Sequence, residues 1–180
     1  MRTVIIESAE RLLMKNGVER TTLADISNEA KISKGTLYYY YKSKNDLIFD
    51  ITEKHLEKAT KEILDFINSI EVLDTDKLLN LLYEKVIKDE MRNKLHIYLI
   101  QEAIRNNENI KERFINSYNL WREDIKKAIK SNIKKSDEDY DTISLIILSC
   151  LDGLIIQHIL GIENIQLEKF AEYFFNKVGE

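Results

Sequence analysis

Apolar residues return every three or four positions along most of the chain, the spacing of a helix that buries one face. In "TVIIESAERLLMKNGVER" the stripe is Ile5, Ala9, Leu12 and Leu13, and Gly17 just past it is a natural stop. "TTLADISNEA" restarts a helix with Thr22 as cap and Asp25 three residues on, a box in which each side chain bonds the other residue's amide. Ser33 caps a short third helix, "KGTLYYY", and Ser43 with Asp46 repeats the device at the head of a fourth. That fourth helix shows Ile48, Ile51, His55, Ala59, Ile63, Phe66, Ile67 and Ile70 on one face, to about residue 70.

Five more helices follow from the same spacing. "DTDKLLNLLYEKVIKDE" is the fifth, with Asp74 or Thr75 as cap, and "NKLHIYLIQEAIRN" the sixth, apolar nearly all round. "ENIKERFINSYNLWREDIKKAIKS" is a long amphipathic seventh, "SDEDYDTISLIILSCLDGLIIQHILG" an eighth and "IQLEKFAEYFFNKVGE" a ninth. No stretch alternates as a strand would, and no repeat or low-complexity tract is present. The pattern predicts an all-α chain of about nine helices.

The first three helices describe a helix-turn-helix: two short helices joined by a tight turn behind a supporting one. Ile26, Ala30, Ile32, Leu37 and Tyr41 fall where they pack the two short helices on each other and on Leu12 and Leu13. Four tyrosines stand side by side in "LYYYYK". Successive helical residues point ~100° apart, so four in a row cannot share one buried face. Leu37 and Tyr41 lie four apart and take the inward face; Tyr38, Tyr39 and Tyr40 point elsewhere, with Lys34 and Thr36.

Composition narrows the class. The chain has 180 residues, 44% hydrophobic and 32% charged, with no proline and 5 glycines, so long uninterrupted helices are permitted. Its single cysteine, Cys150, excludes an intrachain disulfide framework and reads as a small buried side chain. The default setting is reducing and cytoplasmic. Arg2 and Glu7 flank only a short apolar patch, so no signal peptide is expected. The run from Ile143 carries Asp152, Gln157 and His158, and no membrane span is expected where an aspartate at the centre would cost ~3 kcal/mol.

A net charge of −4 argues against a wholly basic nucleic-acid-binding surface. Residues 1–50 hold 8 Lys and Arg against 7 Asp and Glu, the remainder 19 against 24. Any contact with DNA must rest on where a few positive charges sit. Enzyme chemistry finds no foothold: His55, His96 and His158 lie on separate helices without ligand spacing, and no phosphate-binding glycine loop, HExxH or GxSxG is present. No metal or cofactor is expected.

"TTLADISNEAKISKGTLYYYYKSKNDL" resembles the DNA-binding domain of the tetracycline-repressor (TetR) family, over about residues 3–50. The family's pattern is a Thr-capped helix, then S-K-G-T-L-Y, two polar aromatics, Phe and x-S-K-x-x-L. The resemblance implies that Ser33, Lys34, Gly35 and Thr36 open a recognition helix facing bases and phosphates. It implies a phosphate contact for Tyr38, a sugar-phosphate or thymine-methyl contact for Tyr39 and Tyr40, and phosphate sites at Lys44 and at Thr22. Tyrosine suits the task, with a ring for deoxyribose and a hydroxyl for phosphate. Two positions depart from the pattern. Tyr41 replaces the usual Phe and its hydroxyl needs a partner, and Lys31 stands at a turn position where Gly is common.

The same resemblance divides the chain into a DNA-binding domain, residues 1–46, and a helical ligand-binding and dimerisation domain, residues 47–180. Helix eight is apolar on almost every side and needs two neighbours; the simplest second neighbour is another copy of the chain, approached closely at Gly153. Helices eight and nine are then expected to form a four-helix bundle with their mates, with Leu151, Gly153, Leu154, Phe170 and Phe174 at the interface. Two heads related by a two-fold axis require a pseudo-palindromic operator. The family's small-molecule effector pocket has no motif; the candidates here are His96, Gln101, Glu102, Tyr118, Trp121 and His158. The expected function is a repressor released from double-stranded DNA by a small molecule. The alternative is an all-helical binding or interaction protein of the same fold without an operator.

Overall fold

The computed structural model describes residues 1–69, 75–105, 107–132, 139–162 and 169. Eight α-helices follow one another: α1 (Arg2–Asn16), α2 (Leu23–Glu29), α3 (Lys34–Tyr40), α4 (Lys44–Asn68), α5 (Thr75–Leu82), α6 (Glu90–Ile104), α7 (Glu108–Asn132) and α8 (Tyr140–Ile159). No strand occurs among the described residues. The all-α expectation holds. The expected ninth helix, with Phe170 and Phe174, lies outside the described residues, as do Ile70 and Asp74.

The helix starts follow the capping chemistry of the sequence. Thr22 and Asp25 form the reciprocal box, with Asp25 N donating to Thr22 Oγ1 at 3.2 Å and Thr22 N to Asp25 Oδ2 at 2.9 Å. Ser43 and Asp46 do the same at the head of α4, both backbone bonds at 3.1 Å. Asp139 caps α8 by accepting from Thr142 N at 3.0 Å. Helix α6 begins three residues before the expected Asn93, because Asp89 accepts from Arg92 N at 3.1 Å and caps an earlier turn.

The ends of α2 and α8 are closed by left-handed residues. Lys31, at φ 54°, is the non-glycine example. Its N–H donates to Asn28 O and that of Ile32 to Ser27 O, both at 3.0 Å, a Schellman closure that turns the chain from α2 into α3. A lysine here costs about 1 kcal/mol relative to glycine. Gly161, at φ 72°, closes α8 with the same pair of bonds, to His158 O and Gln157 O.

The chain divides into two compact units. The first comprises Met1–His55 and Lys94–Lys111. Its interior holds Ile5, Ala9, Leu13, Ile26, Leu37, Leu47, Ile48 and Ile51, closed by Leu95, Leu99 and Ile110. Each fully buried Leu or Ile contributes about 2 kcal/mol, which makes this apolar cluster the main stabiliser of the head. Thr21 sits in the same interior, its hydroxyl bonded to Gly17 O at 2.8 Å.

The second unit comprises Leu56–Asn93 and Glu112–Glu180. Ile63, Ile67, Leu78, Val86 and Ile155 make its described core, lined by Phe66, Leu81, Leu82, Leu151 and Ile159. Helix α5 runs into one π-helical turn, Tyr83–Ile87, a distortion that frees carbonyls from their usual partners. Buried Arg92 and Asn93 take them up. Arg92 donates to Lys85 O at 3.0 Å and to Val86 O, while Asn93 Nδ2 reaches Ile87 O at 2.7 Å.

Candidate nucleic-acid interface

Helix α3 is only seven residues long, so its geometry is set by its two ends and by Leu37. Ser33 accepts from Thr36 N at 3.0 Å and meets the Thr36 hydroxyl at 2.9 Å. Leu37 and Tyr41 face inward, at 0% and 3% exposure. Tyr38, Tyr39 and Tyr40 stand outward at 53%, 84% and 41%. The rings of Tyr39 and Tyr40 meet edge to face, centroids 5.3 Å apart. None of the three hydroxyls has a hydrogen-bond partner among the described residues. Three open aromatic side chains on one short helix form a surface that a protein keeps only for a partner.

The positive charge is concentrated at the same place. Between Glu29 and Asp46 the chain carries Lys31, Lys34, Lys42 and Lys44 and no carboxylate. Lys31, Lys34 and Lys42 are exposed, as are Ser33 and Gly35. Lys44 is half-buried, and its ammonium donates to Val18 O at 2.7 Å, with two N–H groups left for another acceptor. Thr22 is exposed at the start of α2 but spends both its hydroxyl and its amide on Asp25. Those bonds hold the Asp25 carboxyl below the usual carboxylate range. Asp46, the nearest following acid, is tied to the amide and hydroxyl of Ser43.

Two features that support this surface have no sequence motif. Tyr41 finds its hydroxyl partner in Arg2, whose Nε donates to it at 3.1 Å while its Nη2 pairs with Asp50. Asn45, in the first turn of α4, is clamped on both sides. Tyr98 OH donates to its Oδ1 at 2.9 Å, and its Nδ2 donates to Glu102 Oε2 at 2.9 Å. Asn109 Nδ2 adds a bond to Asp46 Oδ1 at 2.9 Å. The turn that carries α3 into α4 is therefore held by three side chains of the first unit, Tyr98, Glu102 and Asn109.

The effector candidates separate by unit. His96, Gln101 and Glu102 belong to the first, where Gln101 is exposed and Glu102 is engaged by Asn45. Tyr118, Trp121 and His158 belong to the second. Tyr118 and Trp121 are in ring contact at 5.0 Å, and His158 meets Tyr83 edge to face at 6.0 Å. Leu151, Gly153 and Leu154 are half-buried on α8.

A family model described as "Bacterial regulatory proteins, tetR family" matches residues 5–51, from within α1 into α4. The negative transcriptional regulator IcaR of the biofilm operon icaADBC in Staphylococcus epidermidis is 31% identical over 153 residues, covering 82% of this chain and 80% of IcaR. The chain belongs to the TetR family. A TetR-family chain is a DNA-binding transcriptional regulator and not an enzyme. TtgR of Pseudomonas putida, also a transcriptional regulator, is 39% identical over 66 residues, but the match covers 33% of this chain and 31% of TtgR. Among solved structures, a putative transcriptional regulator from Saccharomonospora viridis in complex with choline superposes with a TM-score of 0.72 at 22% identity, over 97% of this chain and 95% of that one. The shared fold thus extends through both units, beyond residues 5–51 that the family model matches.

Proposed function

We propose that this TetR-family chain is a cytoplasmic transcriptional repressor. It binds an inverted-repeat operator as a homodimer and is released when a small molecule fills the second unit. The observation that carries the proposal is the outward row Tyr38–Tyr39–Tyr40, in a stretch from residue 30 to residue 45 that carries four lysines and no carboxylate. In this reading Lys34, Gly35 and Thr36 approach base edges, with Ser33 capping behind them. Tyr38 and Lys44 reach phosphates, and Tyr39 and Tyr40 rest on sugars and thymine methyls. Thr22 contributes through the exposed start of α2 rather than through its own hydroxyl, which Asp25 holds. Residues 1–46 form the reading head and residues 47–180 the effector and dimer domain.

The dimer proposal rests on α8. Leu145, Ile156 and Leu160 are exposed and share an outward stripe with Ser149 and Gly153. By length and composition α8 is also apolar enough to cross a membrane. Asp152 at its middle and the small residues on the stripe suit a second helix better than lipid. Leu151 and Leu154 flank the stripe, and Phe170 and Phe174 complete the proposed interface. Release follows from a second spacing of the two heads. A ligand that binds that state ~100-fold better shifts occupancy by ~2.7 kcal/mol. Tyr118, Trp121 and His158, the candidates that lie in the second unit, remain the proposed effector contacts, and His96, Gln101 and Glu102, which lie in the first, drop out of the proposal.

Selection of bound duplexes from a randomised DNA library tests the proposal. The expected product is an inverted repeat with half-sites about one helical turn apart or a multiple of it. Recovery of no sequence above background contradicts it.

A further inference from the structure

Asp152 lies in the middle of α8 with its carboxylate half-buried and bonded, among the described residues, to a single group, Tyr118 OH, at 2.9 Å. No Lys or Arg pairs with it among the described residues. Arg122, one helical turn beyond Tyr118 on α7, makes no ion pair with it and keeps a buried Nε without an acceptor. Burial holds the Asp152 carboxyl above its usual range, and only the Tyr118 bond opposes that shift. A carboxylate kept in poor solvent without a cation is a standing cost to the fold.

The surroundings say what would relieve it. Phe114, Tyr118 and Trp121 recur on one face of α7 at i, i+4 and i+7. Their ring centroids are 6.3 Å and 5.0 Å apart, and Phe114 is buried while Tyr118 and Trp121 are half-covered. Of these rings Tyr118 bonds the carboxylate and Trp121 packs on Tyr118, and an aromatic pair joined to a carboxylate in this way attracts an ammonium through the ring quadrupole and the charge together. A hard metal ion is poorly served by one carboxylate and a phenol, since it needs six or more oxygens. No group of three or more metal-ligating side chains occurs among the described residues.

We propose that Asp152, Tyr118 and Trp121 form a binding site for a monovalent organic ammonium ion, the carboxylate taking the charge and the rings taking its methyl or methylene surface. The inference rests on the reading of the second unit as the effector domain and names the chemical class of the effector. It adds Asp152, which carries the charge, to Tyr118 and Trp121, which carry the contact area.

Calorimetric titration of the full-length protein with benzyltrimethylammonium chloride and, separately, benzyl alcohol tests it. The cation is expected to bind about tenfold or more tightly than the alcohol. Asp152→Asn keeps the volume and the Tyr118 bond, and is expected to remove that preference while leaving the alcohol's weak binding unchanged. Trp121→Leu is expected to weaken the cation even in a background where Asp152 is intact, and thermal melts confirm that both variants fold. Equal affinity for cation and alcohol, an unchanged preference in Asp152→Asn, or no cation binding by the wild-type protein overturns the proposal. Wild-type protein that binds its selected duplex yet takes up no cation overturns this inference alone. Wild-type protein that selects no duplex overturns the regulator reading, and the cation titration is then judged on its own result.

Discussion

The hydroxyl of Tyr41, at the end of α3, accepts a 3.1 Å hydrogen bond from Nε of Arg2, in the first turn of α1. The ring is buried but the guanidinium is largely exposed and also paired with Asp50. Tyr41→Phe therefore keeps the packing and returns the Arg2 donor to water, a loss of less than about 1 kcal/mol. Tyr41→Ala opens a cavity where the head is closed and costs about 3–5 kcal/mol. Chemical denaturation of the two variants checks the contrast.

Gly35 is a test of closeness to the duplex. Among the described residues, a Cβ there would meet only Ser33 Oγ, at an ordinary 3.7 Å. Gly35→Ala is expected to fold normally and to melt no lower than the wild type, since alanine is the better helix residue. Its affinity for the selected duplex is expected to fall about tenfold, because the added methyl lies where we propose that the helix start meets DNA.

Gly153 tests the dimer in the same way. A Cβ at Gly153 meets nothing within 4 Å among the described residues of the chain. Gly153→Leu is expected to be neutral or favourable for the isolated subunit, by up to about 1 kcal/mol in helix propensity, and to block close approach of a second α8. Sedimentation velocity is expected to show a shift from dimer to monomer, with loss of operator binding. A dimer of unchanged strength would move the interface elsewhere.

Asp152 predicts an inverted pH response. Its folded-state pKa is raised by burial, so the native protein holds this proton more firmly than the unfolded chain. The group then lowers stability as pH rises from the unfolded value through the folded one. Asp152→Asn is expected to raise the melting temperature of the ligand-free protein at neutral pH, and the gain is expected to vanish below the usual carboxylate range. A melting temperature equal to the wild type across the whole range would show that ionised Asp152 carries no cost.

Much of the head is legible in the sequence because its signals are local. Thr22–Asp25, Ser33 and Ser43–Asp46 are side chains that bond amides three residues away, and all three occur as read. The tyrosine row is legible by geometry alone, since Leu37 and Tyr41 claim the only inward face of α3. Lys31 adopts the left-handed turn that its place between two helices demands.

What escaped the sequence is what depends on distant partners. Asn45 gives no sign that Tyr98 and Glu102, more than fifty residues on, will hold it. Glu102 reads as an effector candidate from its apolar neighbours, and its bond to Asn45 is invisible in the helix it occupies. The π turn Tyr83–Ile87 leaves the apolar spacing almost unchanged, so only the carbonyls taken up by Arg92 and Asn93 reveal it. Asp152 reads as a polar interruption of an apolar helix until Tyr118 is seen bonded to it.

The central claim is that the outward face of α3 rests on a double helix. The most direct measurement compares wild-type protein with the Lys34→Ala, Tyr38→Ala double variant on the selected inverted repeat, alongside melts of both proteins. Both side chains are exposed, so their truncation leaves the fold intact. The predicted result is an unchanged melting temperature with a loss of affinity of about a hundredfold or more, from one base-edge or phosphate cation and one phosphate hydroxyl in each of two heads. An equally stable double variant that holds the duplex as tightly as the wild type would contradict the account.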